Sequence, residues 1–259
     1  MADAVPAPLL RESREDATAI LALNQPSRRN ALSVAMRRAL LDAFERIEPD
    51  RTLSAVVITG AEGNFCSGGD LSDMEVPDIA AGRERFRITH RLVRLILAGA
   101  KPVIAAVEGF AAGAGFSLAA LCDTVVAGEN ACFVAGFGKV GLIADLGLLH
   151  TLPRRVGEGR ARQILLYGER LGAAEAFRIG LADQVVPPGT ALAAALARAR
   201  LLSEQAPLPI ALTRAFLAAG LDAALDHERE VQTMLFLSAD HAEGKAAFLA
   251  RRPPRFEGA

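Results

Sequence analysis

Neither sign of charge prevails in this chain of 259 residues: 29 lysines and arginines face 30 aspartates and glutamates, a formal net charge of −1. That balance excludes binding to nucleic acid or an anionic membrane through an overall field, so an anionic ligand must be held by local groups. Cysteine is scarce. Cys66, Cys122 and Cys132 form an odd set in apolar or glycine-rich contexts, without disulfide-framework or metal-site spacing, and suggest a reducing compartment. No apolar run approaches the ~18 residues of a membrane span. The opening "MADAVPAPLL" has an acid and two prolines where a leader would carry a basic and then an apolar stretch. Repeats with a period of about 20 to 50 residues are missing too, which argues against a solenoid or propeller. The expectation is a soluble, cytoplasmic globular protein of ordinary composition, 51% hydrophobic and 23% charged.

What the sequence does contain alternates between strand and helix. "LLRES" and "ATAILALN" bracket the charged "RED" as a hairpin, and Ser33 opens a helix to about Ile47 with Leu40, Phe44 and Ile47 at helical spacing. "SAVVITG" reads as a buried strand ending at Gly60. A second long helix spans about Asp78 to Ala98, and "PVIAAV", Pro102 to Val107, is the next buried strand. This alternation predicts an α/β fold. Beyond Pro153 helical segments follow one another with glycine or proline between them. The predicted organisation is a loose tail over 1–8, a core over 9–200 and a C-terminal helical region over 201–259.

Two glycine-rich stretches follow strands, "GNFCSGGDLSDM" and "GFAAGAGFSLAALCD". The second fails as a dinucleotide fingerprint, because Leu118 occupies the third small position and no acid follows a second strand at the required distance. It also fails as a hydrolase elbow, since Ser117 lies well past Val107 and inside the predicted helix. Gly113, Ala114 and Gly115 instead fall at a helix amino end, where unpaired N–H groups point outward and the dipole is positive. Gly68 and Gly69 occupy the matching place in the first stretch. Two backbone donors from two loops are what an oxyanion hole needs, although glycines also serve tight turns and close packing.

"NFCSGGDL", "KPVIAAVEGFAAGAGFSLAALCDTVVAG", "GLIADLGLLHTLPRRVG" and "EAFRIGLADQVV", in this order and spacing, resemble the crotonase family, also called enoyl-CoA hydratase/isomerase. The resemblance runs from about Leu9 to Phe256. It implies a crotonase-like fold of repeated β-β-α units, a C-terminal helical region that mediates homotrimers or paired trimers, and acyl-CoA thioesters as substrates. It implies no metal and no cofactor beyond CoA as the substrate's carrier. By position it assigns the oxyanion donors to the N–H groups of Gly69 and Ala114, which follow Gly68 and Gly113. "SRRNAL", with Arg28, Arg29 and Ala31, resembles the loop that meets CoA, its arginines placed to pair with phosphates. Ser67, Asp70 and Leu71 fall where the family forms its adenine pocket.

The two glutamates of the hydratases are absent, their positions taken by Ser117 and Phe137. Losing both carboxylates argues against ordinary hydration, which needs one group for water and one for the α-proton. Asp145 remains, in the apolar "VGLIADLGLL", where desolvation would raise its pKa toward that of a useful base. An aspartate ahead of a helix also commonly caps it. The resemblance places a catalytic aspartate at this position in isomerase-like members. His90 lies on the apolar face formed by Phe86, Val93 and Leu97, which directs it inward as a core histidine or a catalytic one. With Asp145 it matches part of the family's 4-chlorobenzoyl-CoA dehalogenase. The expected activity is proton transfer that shifts a double bond in an unsaturated acyl-CoA. Hydration, hydrolytic aryl-CoA dehalogenation and a non-catalytic CoA-binding scaffold are the alternatives.

Overall fold

β1 (Leu10–Glu15) and β2 (Thr18–Leu23) form an antiparallel hairpin that turns at Asp16, whose φ of 51° is a left-handed conformation that short polar side chains tolerate. The computed structural model describes residues 7–259, so most of the predicted tail over 1–8 lies outside the described residues. α1 (Val34–Ile47) starts where Ser33 accepts the Met36 N–H at 3.1 Å, and it buries Leu40, Phe44 and Ile47. After β3 (Ala55–Gly60), α2 (Ile79–Ala98) starts in the same way, with Asp78 accepting the Ala81 N–H at 2.8 Å. β4 (Val103–Val107) returns the chain to the sheet.

From there the elements are short: β5 (Phe110–Ala112), α3 (Ala114–Leu121), β6 (Thr124–Gly128) and β7 (Cys132–Val134). α4 (Leu148–Val156), α5 (Glu158–Tyr167), β8 (Arg170–Gly172), α6 (Ala173–Arg178) and β9 (Gln184–Val186) follow. The main sheet runs β1-β2-β3-β4-β6-β9, parallel from β2 onward, and a small second sheet runs β5-β7-β8. Strand periodicity divides the core. Val56, Ile58, Ala105 and Val107 pack with α1, α2 and α3, whereas Val57, Ile104 and Val126 meet Ala191, Ala195 and Ala199 of α7 (Ala191–Ser203) on the other face. A parallel sheet covered on both faces reads as continuous apolar runs, which is why "SAVVITG" and "PVIAAV" were legible as buried strands.

α8 (Pro207–Leu217), α9 (Leu221–Phe236) and α10 (Ala239–Leu249) complete the chain. The boundary placed at 200/201 falls within α7, which belongs to the core because it covers the sheet. α8 is fastened to the core through buried Arg214, whose Nε donates to Asp123 Oδ1 at 2.9 Å. Its other side leaves Leu212 62% and Phe216 80% exposed.

Candidate active site

The two glycine-rich stretches are laced together by backbone. The Cys66 N–H donates to the Phe110 carbonyl at 2.8 Å, and the Ala112 N–H donates to the Cys66 carbonyl at 2.9 Å. Gly68 has a φ of +112°, and a Cβ there would stand 2.9 Å from the Ala112 carbonyl oxygen and 3.8 Å from the Ala114 nitrogen. A Cβ at Gly115 would meet the Cys66 carbonyl oxygen at 2.4 Å, so α3 approaches the first loop only because that residue is glycine. Gly113 precedes α3 with no side-chain cap, leaving the first amides of the helix open. Among the described residues, neither the Gly69 nor the Ala114 N–H donates to a protein acceptor. Two free donors thus stand on adjoining loops, one at a helix amino end, ready for an oxygen that carries negative charge. Cys66 is fully buried beside them, and burial pushes its thiol up to about 12, which suits a small apolar filler rather than a nucleophile.

Asp145 faces the same cavity of about 740 Å³ as Gly69 and Ala114. It does not cap the helix that follows. The residue preceding α4 is Gly147, with no side-chain cap, and the turn is held instead by Glu228 of α9. Glu228 Oε1 accepts the Leu146 N–H at 3.0 Å and Oε2 accepts the Gly147 N–H at 2.7 Å. The Asp145 carboxyl is therefore not spent on capping α4. It is 6% exposed, and its Oδ1 is buried without a hydrogen-bond partner. Burial raises its pKa to about 6; Glu228 pushes the same way, while Arg37 and Arg85 oppose it.

Arg37 of α1 ties these parts together. Its Nη1 donates to Thr89 Oγ1 at 3.0 Å, and its Nη2 lies 3.5 Å from Asp145 Oδ2. The same Nη2 would be 3.7 Å from a Cβ at Gly69, so one buried guanidinium spans the carboxylate and the first glycine-rich loop. Arg85 of α2 also lines the cavity. Arg37, Arg85 and Glu228 escaped the sequence reading, because a single sequence treats charged residues on a helix as solvated by default. Their signal was positional. Arg37 shares a helical stripe with Leu41 and Phe44, Arg85 with Thr89 and Leu92, and Glu228 with Leu225 and Gln232.

His90 is placed behind the site. Its Nε2 is 3.0 Å from Glu228 Oε1 and its ring packs on Phe86, whereas the cavity wall contains Phe86 but not His90. Ser117 is fully buried in α3, with its hydroxyl directed back to the Gly113 carbonyl at 3.4 Å, the habit of serine within a helix. Phe137 does line the cavity. The loop bearing Arg28, Arg29 and Ala31 sits at the cavity rim with Ser67, Asp70 and Leu71. Arg28 is bonded to Asp70, whose pKa the hydrogen bonds from Ser72 and Arg28 hold low against its burial. Arg29 is exposed, and its carbonyl accepts the Ser67 N–H at 2.9 Å. Asn30 fixes this loop through Nδ2 bonds to the carbonyls of Ala61 at 2.9 Å and Asn64 at 2.7 Å.

The model of the enoyl-CoA hydratase/isomerase family matches residues 13–259. The chain belongs to that family. It is 40% identical over 248 residues to a 1,2-epoxyphenylacetyl-CoA isomerase of Escherichia coli, covering 92% of this chain and 94% of the relative. It is 38% identical over 250 residues to a 2,3-dehydroadipyl-CoA hydratase of the same organism, covering 95% and 97%. The crystal structure of an enoyl-CoA hydratase from Mycobacterium avium subsp. paratuberculosis superimposes with a TM-score of 0.87 at 35% identity, covering 97% of this chain and all of the other. The crotonase-like fold expected from the four motifs is thereby established, and the protein is an acyl-CoA-processing member of the hydratase/isomerase family.

Proposed function

We propose that this family member is an isomerase that moves a proton between two carbons of an unsaturated acyl-CoA. The observation that carries the reading is Asp145, among the described residues the one cavity-lining carboxylate with an unpartnered buried oxygen. Removing a proton beside a thioester sends negative charge to the carbonyl oxygen, where the Gly69 and Ala114 N–H groups can receive it. Asp145 takes the proton from one carbon and returns it at another, so the double bond shifts and no proton is gained or lost overall. Adding water would call for a second polar group. The two positions where hydratases keep glutamate hold a serine turned back on its own helix and a phenylalanine.

CoA serves here as the carrier of the acyl group, with no further cofactor. Arg29 and Lys139 are cations at the cavity suited to its phosphates, since Arg28 is already paired with Asp70. The exposed apolar face of α8 suits self-association as a homotrimer or a pair of trimers. The test sets two assays side by side: conversion of 3-enoyl-CoA to 2-enoyl-CoA, and hydration of crotonyl-CoA. Isomerisation should dominate, and efficient hydration without isomerisation would overturn the proposal.

A further inference from the structure

Arg85 is the group in the cavity that the proton-transfer reading leaves unused. Its Nη1 donates to the Asp73 carbonyl at 2.6 Å, and its guanidinium carbon stands 5.6 Å from the centre of the Phe236 ring. Its Nη2 is buried and has no hydrogen-bond partner. No carboxylate forms an ion pair with Arg85 among the described residues. Arg37 is the contrast, because Thr89 and Asp145 already engage it. Beside Asp145 the cavity wall therefore carries two guanidinium groups against one carboxylate, and that carboxylate is paired with Arg37; Asp145 and Asp73 act on Arg85 only from beyond ion-pair distance, in a region walled by Phe86, Leu142 and Phe236. Burial lowers the pKa of Arg85 to about 10, so it stays cationic at neutral pH while deprived of water.

A guanidinium with a buried, unpartnered N–H and no carboxylate within ion-pair distance is costly, and its planar fork is shaped for a carboxylate. The thioester oxygen cannot fill that role, since Gly69 and Ala114 supply its donors. CoA phosphates have their own candidates at the rim, in Arg29 and Lys139. A neutral oxygen on the acyl group would satisfy Nη2 but leave the charge unbalanced. Resting on the acyl-CoA reading, we infer that the acyl group of the substrate carries a second acid, a carboxylate distal to the thioester, which Arg85 binds through Nη2. The carbon chain between the two ends would lie against Phe86, Leu142 and Phe236, and the distal anion would orient the reacting carbons toward Asp145.

The test uses matched pairs of enoyl-CoA thioesters over a series of chain lengths, each ending in a free carboxylate or in its neutral methyl ester. Turnover and proton exchange into deuterated water are measured with the parent enzyme and with Arg85→Gln and Arg85→Lys. The parent should prefer the acid at its best chain length by about tenfold or more in kcat/KM, the scale of one charge-assisted contact. Arg85→Gln should bring that ratio close to one, and Arg85→Lys should keep part of it. Should Arg85→Gln fail to fold, the lysine variant and the parent's ratio still decide the matter. Equal turnover of acid and ester by the parent, or an undiminished preference in the glutamine variant, overturns the assignment of Arg85 while leaving the acyl-CoA reading intact. Failure to bind or turn over either ester at any length overturns the acyl-CoA reading itself.

Discussion

Glu228 of α9 accepts the Gly147 N–H at 2.7 Å across a sequence separation of 81 residues, and so fixes the turn that presents Asp145. A carboxylate with both oxygens engaged by consecutive amides, and a histidine beyond them, defines where that turn stands. Glu228 is a positioning residue in this arrangement. Glu228→Gln keeps one acceptor but loses the charge and the second acceptor, so turnover should fall roughly tenfold, the scale of about one lost hydrogen bond to a charged group. Because Glu228 also raises the pKa of Asp145, the acid limb of the pH–rate profile should move to lower pH. A purely structural role would lower turnover without moving that limb.

Asp145→Asn retains size and removes the base. Acyl-CoA binding should persist, measured by titration calorimetry, while isomerisation and solvent-proton exchange are both abolished. Exchange at the parent rate would exclude Asp145 as the base.

The raised pKa of Asp145 also has consequences for stability. The folded state holds this proton more tightly than the unfolded chain, so between the ordinary value of 3.8 and about 6 stability declines as pH rises, and the full penalty is present above that window. Two pKa units correspond to about 3 kcal/mol at most. Asp145→Asn should therefore be more stable than the parent at pH 7 by about 1 to 3 kcal/mol, with the difference vanishing near pH 4. Denaturant titrations at both pH values check this. In the parent, kcat/KM should fall below about pH 6 as the base becomes protonated.

Ala114→Pro deletes one oxyanion donor at the first residue of α3, a position where proline is well tolerated and where this N–H makes no bond within the protein. The fold should survive, and turnover should fall about a hundredfold or more. A folded variant with parental turnover would show that this amide does not hold the enolate.

The apolar side of α8 should be covered by a second copy of the chain. Light scattering at micromolar concentration should give a trimer or a multiple of it. Phe216→Glu, which places a charge on that face, should shift the population to smaller species. A monomeric parent would overturn the prediction.

Periodicity and end signals in the sequence were enough for the elements that satisfy themselves locally. Ser33 and Asp78 cap the helices they were expected to open, the hairpin turns where the charged residues stand, and the apolar runs are the doubly covered strands. β5 was not among the expected strands, since three residues carry no period and owe their strand geometry to β7 and to Cys66 across the fold. Gly69, Ala114 and Asp145 were singled out from local pattern and resemblance, because glycines beside a strand and an acid in an apolar turn are visible in one dimension. Whether Asp145 capped its helix was open in the sequence. Tertiary packing decided against the cap by bringing Glu228 to hold the turn amides, which leaves Oδ1 of Asp145 free. The same packing sets Arg37 against Asp145 and leaves Arg85 without an ion-pair partner among the described residues, on elements far apart in the chain. Charge and hydrogen-bond compensation are properties of neighbours in space, and the order of residues along one strand of sequence does not encode which ones will be left without a partner.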